Sequence, residues 1–143
     1  MLTVDISGKW DVFLDREKRG LSPAEFPDSI ILPDSTSNAG LGGLNPETEY
    51  GCLTDIRKFE GYAWFRKNIT IPPEMEGKYI ELYLERTRMT AVYIDGREFR
   101  YGNSLCTPHR FCMSGLSAGE HELIIRVSNT DYPTGGGHMT SRD

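Results

Sequence analysis

Residues 59–72 read FEGYAWFRKNITIP, and within this stretch the character of the side chains alternates. Phe65, Ile69 and Ile71 fall on one face of an extended chain. The opposite face would carry Trp64, Arg66, Asn68 and Thr70. Successive side chains of a β-strand point to opposite sides, so a period of two predicts a strand with one face buried.

The same period recurs before and after a predicted hairpin. Residues 78–85, KYIELYLE, would point three apolar side chains inward: Ile80, Leu82 and Leu84. Their neighbours would point outward: Tyr79, Glu81, Tyr83 and Glu85. Residues 121–129, HELIIRVSN, likewise place on one face Leu123, Ile125 and Val127. We therefore expect Leu82 and Leu123 to be buried in one core.

The turn signals complete the fold class. Residues 89–100, MTAVYIDGREFR, read as two strands joined by Asp95-Gly96, a dipeptide that favours a tight hairpin turn. Two shorter apolar runs, at 9–15 and 29–33, are further strands, and residues 22–26 suggest a helical turn. Short alternating strands with turns about every ten residues predict an all-β protein, an antiparallel sandwich of the jelly-roll type.

Composition excludes several classes of function. The chain of 143 residues fits a single domain, and its net charge of −5 disfavours nucleic acids and anionic membrane surfaces. No apolar run approaches the length of a membrane span, and the first residues do not resemble a signal peptide, so the compartment stays open between cytoplasm and periplasm or secretion. Three cysteines are too few for a disulfide framework.

Residues 34–60 form the longest stretch without a convincing strand pattern. This segment still carries apolar side chains, among them Leu41, Leu44, Tyr50, Leu53 and Ile56. Long ordered loops often carry function, so the segment either packs over one sheet or reaches toward a ligand or a neighbouring domain.

Other constellations are weaker candidates for chemistry. The spacing of Cys106, His109 and Cys112 is open to metal binding. Structural zinc takes four ligands, however, and no fourth ligand lies nearby in the sequence, so we expect no metal. The usual place for such a cysteine is a buried position on a strand. The carboxylate pairs Glu81 with Glu85 and Asp95 with Glu98 fit a surface better than an acid–base pair. No phosphate loop or other cofactor motif is present, and none is expected.

Five pieces of the chain, in order, resemble the N-terminal sugar-binding domain of glycoside hydrolase family 2, the family of β-galactosidases, β-glucuronidases and β-mannosidases. They are residues 7–15 (SGKWDVFLD), 31–35 (ILPDS), 59–67 (FEGYAWFRK), 79–98 (YIELYLERTRMTAVYIDGRE) and 116–129 (LSAGEHELIIRVSN). The sequence departs from the family pattern at Asp95 and His121, since asparagine is common at both positions. The resemblance implies a galactose-binding-domain-like jelly roll.

In that family the jelly roll precedes an immunoglobulin-like sandwich and a TIM barrel, and two glutamates of the barrel hydrolyse the β-glycosidic bond with retention. The resemblance therefore implies a non-catalytic domain of a larger hydrolase. Residues 1–143 would be a single domain that stops before its closing strand. Its partners would be the immunoglobulin-like and barrel domains further along the same protein, and a carbohydrate bound by the whole enzyme. No catalytic residue is expected in this chain.

The resemblance also implies one substrate contact. Residues 135–143, GGGHMTSRD, are similar to a loop that in β-galactosidase and β-glucuronidase carries an aspartate to the sugar in the barrel. Asp143 stands where that residue would fall. Residues 135–143 are expected to be irregular here and ordered against the barrel.

Two other functions stay open at this point. One is an independent carbohydrate-binding module, and the other is a structural sandwich without a ligand. Trp10 and Trp64 lie in strand patterns, where core or inter-domain packing is the usual role. The loop aromatics Tyr50, Tyr101 and Tyr132 are scattered along the sequence, which argues against strong sugar binding by the isolated domain.

Overall fold

A computed structural model of the protein describes residues 1–19, 25–44, 57–102 and 107–131, with the side chains of 100–102 left out. Within these ranges the chain forms ten strands: β1 Gly8–Asp15, β2 Asp28–Leu32, β3 Gly43–Leu44, β4 Arg57–Lys58, β5 Tyr62–Ile71, β6 Glu81–Leu84, β7 Met89–Ile94, β8 Arg97–Gly102, β9 His109–Cys112 and β10 Gly119–Ser128. A short 3-10 helix, Pro73–Met75, follows β5 after Pro72, whose extended backbone suits the end of a strand.

The strands form a two-layered antiparallel sandwich, which confirms the predicted fold class. Six of them make the main sheet in the order β2-β1-β5-β10-β7-β8. β6 pairs with β9 in a second sheet, and β3 pairs with β4 in a short ribbon. The strands β3 and β4 lie inside the segment 34–60, for which the sequence predicted no strand, and β9 was not predicted either.

The core lies between the main sheet and the β6–β9 sheet. Leu82 is 5% exposed and Leu123 is fully buried, as predicted. The other buried members of this core are Trp10, Val12, Ile30, Ile69, Ile71, Ile80, Val92, Ile94, Phe111, Met113 and Ile125. Their registers follow the period of two, because antiparallel partners such as Leu82 and Phe111 point to the same side of their sheet.

One polar link crosses the core. His109 is buried on the inner side of β9, and its Nδ1 lies 2.6 Å from the Thr90 hydroxyl of β7 and 3.1 Å from the Thr87 hydroxyl. Cys112, three residues further on, points to the opposite side of β9 and is exposed. The expectation of a buried cysteine is therefore wrong for Cys112, and His109 and Cys112 cannot share a metal ion; Cys106 lies outside the described residues.

The predicted Asp95-Gly96 turn joins β7 and β8 and is confirmed. Both residues have positive φ angles, 48° and 80°, as a tight hairpin turn requires. Asp95 also binds the neighbouring strand β10, since its Oδ1 accepts a hydrogen bond of 2.9 Å from the Glu122 backbone N–H. Its Oδ2 lies 2.6 Å from His121 Nδ1. The two positions at which the sequence departs from the family pattern thus contact each other.

Both ring nitrogens of His121 face acceptors, because Nε2 lies 2.8 Å from the Ser117 carbonyl oxygen. Only the imidazolium can donate from both nitrogens at once. The hydrogen bond to Asp95, reinforced by that to Ser117, raises the pKa of His121. The hydrogen bonds from His121 and from the Glu122 amide lower the pKa of Asp95.

This pair predicts a pH window for stability. The His121 contribution is complete below its ordinary pKa and is lost as pH rises through the raised value. The Asp95 contribution is complete above its ordinary pKa and is lost as pH falls through the lowered value. We expect His121→Gln to destabilise the protein more at pH 5 than at pH 8.5 in urea unfolding. An equal loss at both pH values would contradict the charged pair.

Candidate functional site

Three strands of the main sheet meet at one end of the sandwich. Asp15 at the end of β1 pairs with Tyr62 at the start of β5, and Tyr62 pairs with Ser128 at the end of β10. The segment 34–60 reaches the sheet at this end, and the chain leaves β10 here toward residue 143. Residues 57–60, the end of the first segment that the sequence singled out, therefore lie beside the end of β10.

Asn129 binds these two segments together. Its Nδ2 donates to the Phe59 carbonyl oxygen at 2.6 Å, and its Oδ1 accepts from the Gly61 N–H at 3.0 Å. A side-chain amide that uses its donor and its acceptor in this way replaces backbone pairing where the strand ladder ends. Asn129 thus links the end of β10 to the residues just before β5.

Gly61 is required at this junction. Its φ is +141°, and an added Cβ would lie 2.6 Å from the backbone oxygen of Asp15 and 3.1 Å from the Cα of Arg16. These are main-chain atoms of β1 and the turn after it, so a clash cannot be relieved by rotating a side chain.

We expect Gly61→Ala to lower the free energy of unfolding by about 1–3 kcal/mol, since it adds a clash to an unfavourable backbone angle. Gly77→Ala is the matched control, because Gly77 has a φ of +71° but open space around its Cβ position. The control should cost less in the same denaturant titration. Equal losses would show that the close approach of β1 to Gly61 carries no energy.

A cluster of cations and aromatic rings covers the outer face of the main sheet at this end. The Arg126 guanidinium lies 4.4 Å from the ring centre of Tyr62 and 5.9 Å from that of Trp64, and Lys18 Nζ lies 5.3 Å from the Tyr62 ring. Trp64 Nε1 donates to Asp15 Oδ2 at 3.3 Å, and the same oxygen accepts from the Arg19 N–H at 2.9 Å. Such contacts hold charged groups in fixed positions on a largely buried surface.

Asp131 extends this cluster to the base of the C-terminal segment. It forms an ion pair of 3.2 Å with Lys18, and its N–H donates to Ser128 Oγ at 3.0 Å. Burial acts to raise the pKa of Asp131, but hydrogen bonds with Lys18 and Ser128 outweigh it and lower the pKa. Asp131 is therefore a carboxylate at neutral pH, and it links the chain just after β10 to the turn after β1.

An open cleft of about 430 Å³ lies beside the cluster. Its described lining comes from the turn after β1, from the β3–β4 ribbon and from the residues that follow β4: Arg16, Gly43, Leu44, Lys58 and Glu60. Lys58 Nζ lies 3.7 Å from Glu60 Oε1, and the Leu44 side chain is 72% exposed. The cleft therefore combines cations, a carboxylate and an exposed apolar side chain. The described residues that line the cleft include no serine, cysteine or histidine, so they form no Ser–His or Cys–His pair.

The residue predicted to contact substrate, Asp143, lies outside the described residues, as do the side chains of Tyr50, Tyr101 and Tyr132. Sequence reasoning did not single out Arg126 or Asn129. Two features of the sequence could have pointed to them. Asn129 ends the last of the five family-like pieces, and Arg126 is the one charged residue within the apolar run 123–127. In the ranges that the structure covers, no three side chains form a candidate metal site.

The fold matches solved β-glucuronidases. The Faecalibacterium prausnitzii enzyme aligns with 88% of this chain at a TM-score of 0.67 and 22% identity. The β-glucuronidase of an uncultured Clostridium species aligns with 90% of this chain at a TM-score of 0.68 and 18% identity. The Ruminococcus gnavus enzyme aligns with 87% of this chain at a TM-score of 0.64 and 18% identity. No family model and no curated protein sequence matches the chain.

The matched region is a small part of each of these enzymes. The region covers 21% of the Faecalibacterium prausnitzii chain, 24% of the Clostridium chain and 20% of the Ruminococcus gnavus chain. At these identities the likeness shows a shared fold, the one that the sequence resemblance implied.

None of the helical segments in the described ranges has the length and apolar character needed to cross a bilayer.

Proposed function

We propose that this chain is the non-catalytic N-terminal domain of a family 2 glycoside hydrolase, and that the whole protein hydrolyses β-glycosidic bonds. The observation that carries the proposal is the fold match: about nine-tenths of this chain aligns with about a fifth of β-glucuronidase chains. The five family-like sequence pieces support the same conclusion independently of that alignment. Catalysis would belong to two carboxylates of a downstream barrel.

The domain would dock on that barrel through the end of the sandwich at which β1 and β10 finish. β10 ends there, and Asn129, the residue after it, binds Phe59 and Gly61 beside the end of the segment 34–60. The cleft between Arg16, Lys58 and Glu60 offers charged groups at the same end. Interfaces between domains of one chain are more polar than permanent subunit interfaces, so this mixed surface is suited to the role.

The proposal is tested by activity of the whole gene product. The full-length protein should release nitrophenol from an aryl β-glucuronide, β-galactoside or β-mannoside with retention at the anomeric carbon, and residues 1–143 alone should release none. Turnover by residues 1–143, purified to remove host glycosidases, would contradict the non-catalytic role. A full-length protein without an immunoglobulin-like domain and a barrel would contradict the family assignment.

In the full-length protein Asp143 would complete the rim of the active site by accepting a hydrogen bond from a sugar hydroxyl. A hydrogen bond to a charged group contributes about 1.5–3 kcal/mol, so Asp143→Ala should lower kcat/KM by about tenfold to a hundredfold. Asp143→Asn keeps an acceptor without the charge and should fall between wild type and Asp143→Ala. Equal kcat/KM values for folded wild type and Asp143→Ala would remove Asp143 from the site.

A further inference from the structure

The outer face of the β6–β9 sheet, opposite the core, presents two exposed tyrosines. Tyr79, just before β6, is 69% exposed, and Tyr83 within β6 is 45% exposed. Both point to the same side of the strand, together with Glu81 between them and Glu85 beyond them. Arg110 of β9 lies directly opposite Tyr83 in the register. We call these five residues the tyrosine face.

Hydrogen bonds and stacking hold the side chains of the tyrosine face in place. The Tyr79 hydroxyl donates to Glu81 Oε2 at 3.1 Å, and the Tyr83 hydroxyl donates to Glu85 Oε1 at 2.7 Å. Arg110 Nη1 donates to Glu81 Oε1 at 2.8 Å, and its guanidinium lies 5.1 Å from the Tyr83 ring centre. Side chains that are already ordered lose less entropy when a ligand binds.

The geometry favours an elongated ligand. Tyr79 and Tyr83 are four positions apart along the strand, a distance of about 13 Å at the usual rise of a strand. Glu81 lies midway, so the two rings flank a carboxylate. This arrangement spans a short oligomer better than a compact molecule.

The charges and the hydrogen-bond acceptors of the tyrosine face suit a ligand that has hydroxyl groups and no negative charge. Two glutamates and one arginine leave one net negative charge, which disfavours nucleic acids and acidic partners. Each carboxylate can accept several hydrogen bonds, and only part of that capacity is used here. Sugar hydroxyls can therefore bind Glu81 and Glu85 without breaking the Arg110–Glu81 pair, whereas an acidic protein group would compete with Glu81 for Arg110.

Aromatic rings supply the other half of sugar recognition. The faces of tyrosine rings carry partial negative charge and attract the C–H groups of a pyranose ring. We infer that the tyrosine face binds a neutral oligosaccharide, with Tyr79 and Tyr83 stacking on sugar units and Glu81 and Glu85 accepting their hydroxyls. This inference goes beyond the proposed function, because it concerns binding by this chain alone and needs no hydrolysis. It differs from the expectation that the isolated domain binds sugar weakly, because that expectation considered the tryptophans and the loop aromatics and not the exposed strand residues Tyr79 and Tyr83.

Isothermal titration of the protein with cellohexaose, xylohexaose, mannohexaose and laminarihexaose tests the inference. At least one of these neutral probes should bind, and Tyr83→Ala should weaken that binding about tenfold, the effect of losing one aromatic stacking contact. Tyr83→Phe keeps the ring and should leave the affinity nearly unchanged. Ile31→Ala is the matched control, since Ile31 is a 72% exposed apolar side chain on β2 of the other sheet.

Several results would overturn the inference. Absence of binding to all four hexasaccharides would do so, as would equal affinities of Tyr83→Ala and wild type. Self-association that disappears in Tyr83→Ala would assign the tyrosine face to a contact between two copies of the chain instead. Unfolding curves of each variant, with Tyr83→Phe as the second variant, separate lost binding from lost structure.

Discussion

Replacing Trp64 by alanine should lower the free energy of unfolding by about 3–5 kcal/mol, the usual cost of removing a buried tryptophan. Trp64 is fully buried although it lies on the face of the main sheet that points away from the core. Its ring lies 5.8 Å from that of Tyr93 and 6.5 Å from that of Tyr62. Removing it would open a cavity beneath the Arg126 guanidinium and take one donor from Asp15.

Trp64→Phe separates these two contributions. Phenylalanine fills much of the volume but cannot donate to Asp15, which keeps its hydrogen bond from the Arg19 N–H. We expect Trp64→Phe to cost about 1–3 kcal/mol, and hence less than Trp64→Ala, in guanidinium unfolding followed by far-ultraviolet circular dichroism. If Trp64→Ala lowered the free energy of unfolding by less than about 1 kcal/mol, the Trp64 side chain would not be buried on the outer face of the main sheet.

Leu123→Ala should cost about 2–5 kcal/mol, because Leu123 is fully buried on β10, a central strand of the main sheet. It pairs with Lys67 of β5 on one side and Ile94 of β7 on the other, so few movements could fill the cavity. The same titration used for Trp64 measures this loss.

Glu120→Ala is the matched control for Leu123→Ala. Glu120 lies on the same strand, is exposed, and points to the other face of the sheet. Its replacement should change the free energy of unfolding by less than about 0.5 kcal/mol. Similar losses for the two variants would mean that β10 is shifted by one residue, which would exchange its two faces.

Alternation in the sequence was enough to assign the faces of the longer strands. Leu82 and Leu123 are buried and Tyr79 and Tyr83 are exposed, as the period of two predicted. The Asp95-Gly96 turn was likewise predictable, because few dipeptides adopt two positive φ angles at low cost. Both signals are local: they depend on side-chain direction and backbone preference within a few residues.

Short strands were harder to predict for a physical reason. β9 has four residues, and its buried members are His109 and Phe111, of which only one is apolar. β3 and β4 have two residues each, too few for any period to appear. Such strands form because a partner strand is already in place to accept their hydrogen bonds, and a sequence window does not contain that partner.

The sequence by itself therefore determined the sandwich, the inward side of its long strands and the likeness to a family of glycoside hydrolases. Only the tertiary structure decided which outer surfaces are covered, since alternation predicted neither the burial of Trp64 beneath Arg126 nor the exposure of Cys112. It also brought His121 to Asp95, 26 residues away, and Asn129 to Phe59, 70 residues away. Polar pairs so far apart in sequence meet only when folding has closed the long loops between them, and that closure depends on the packing of the whole chain.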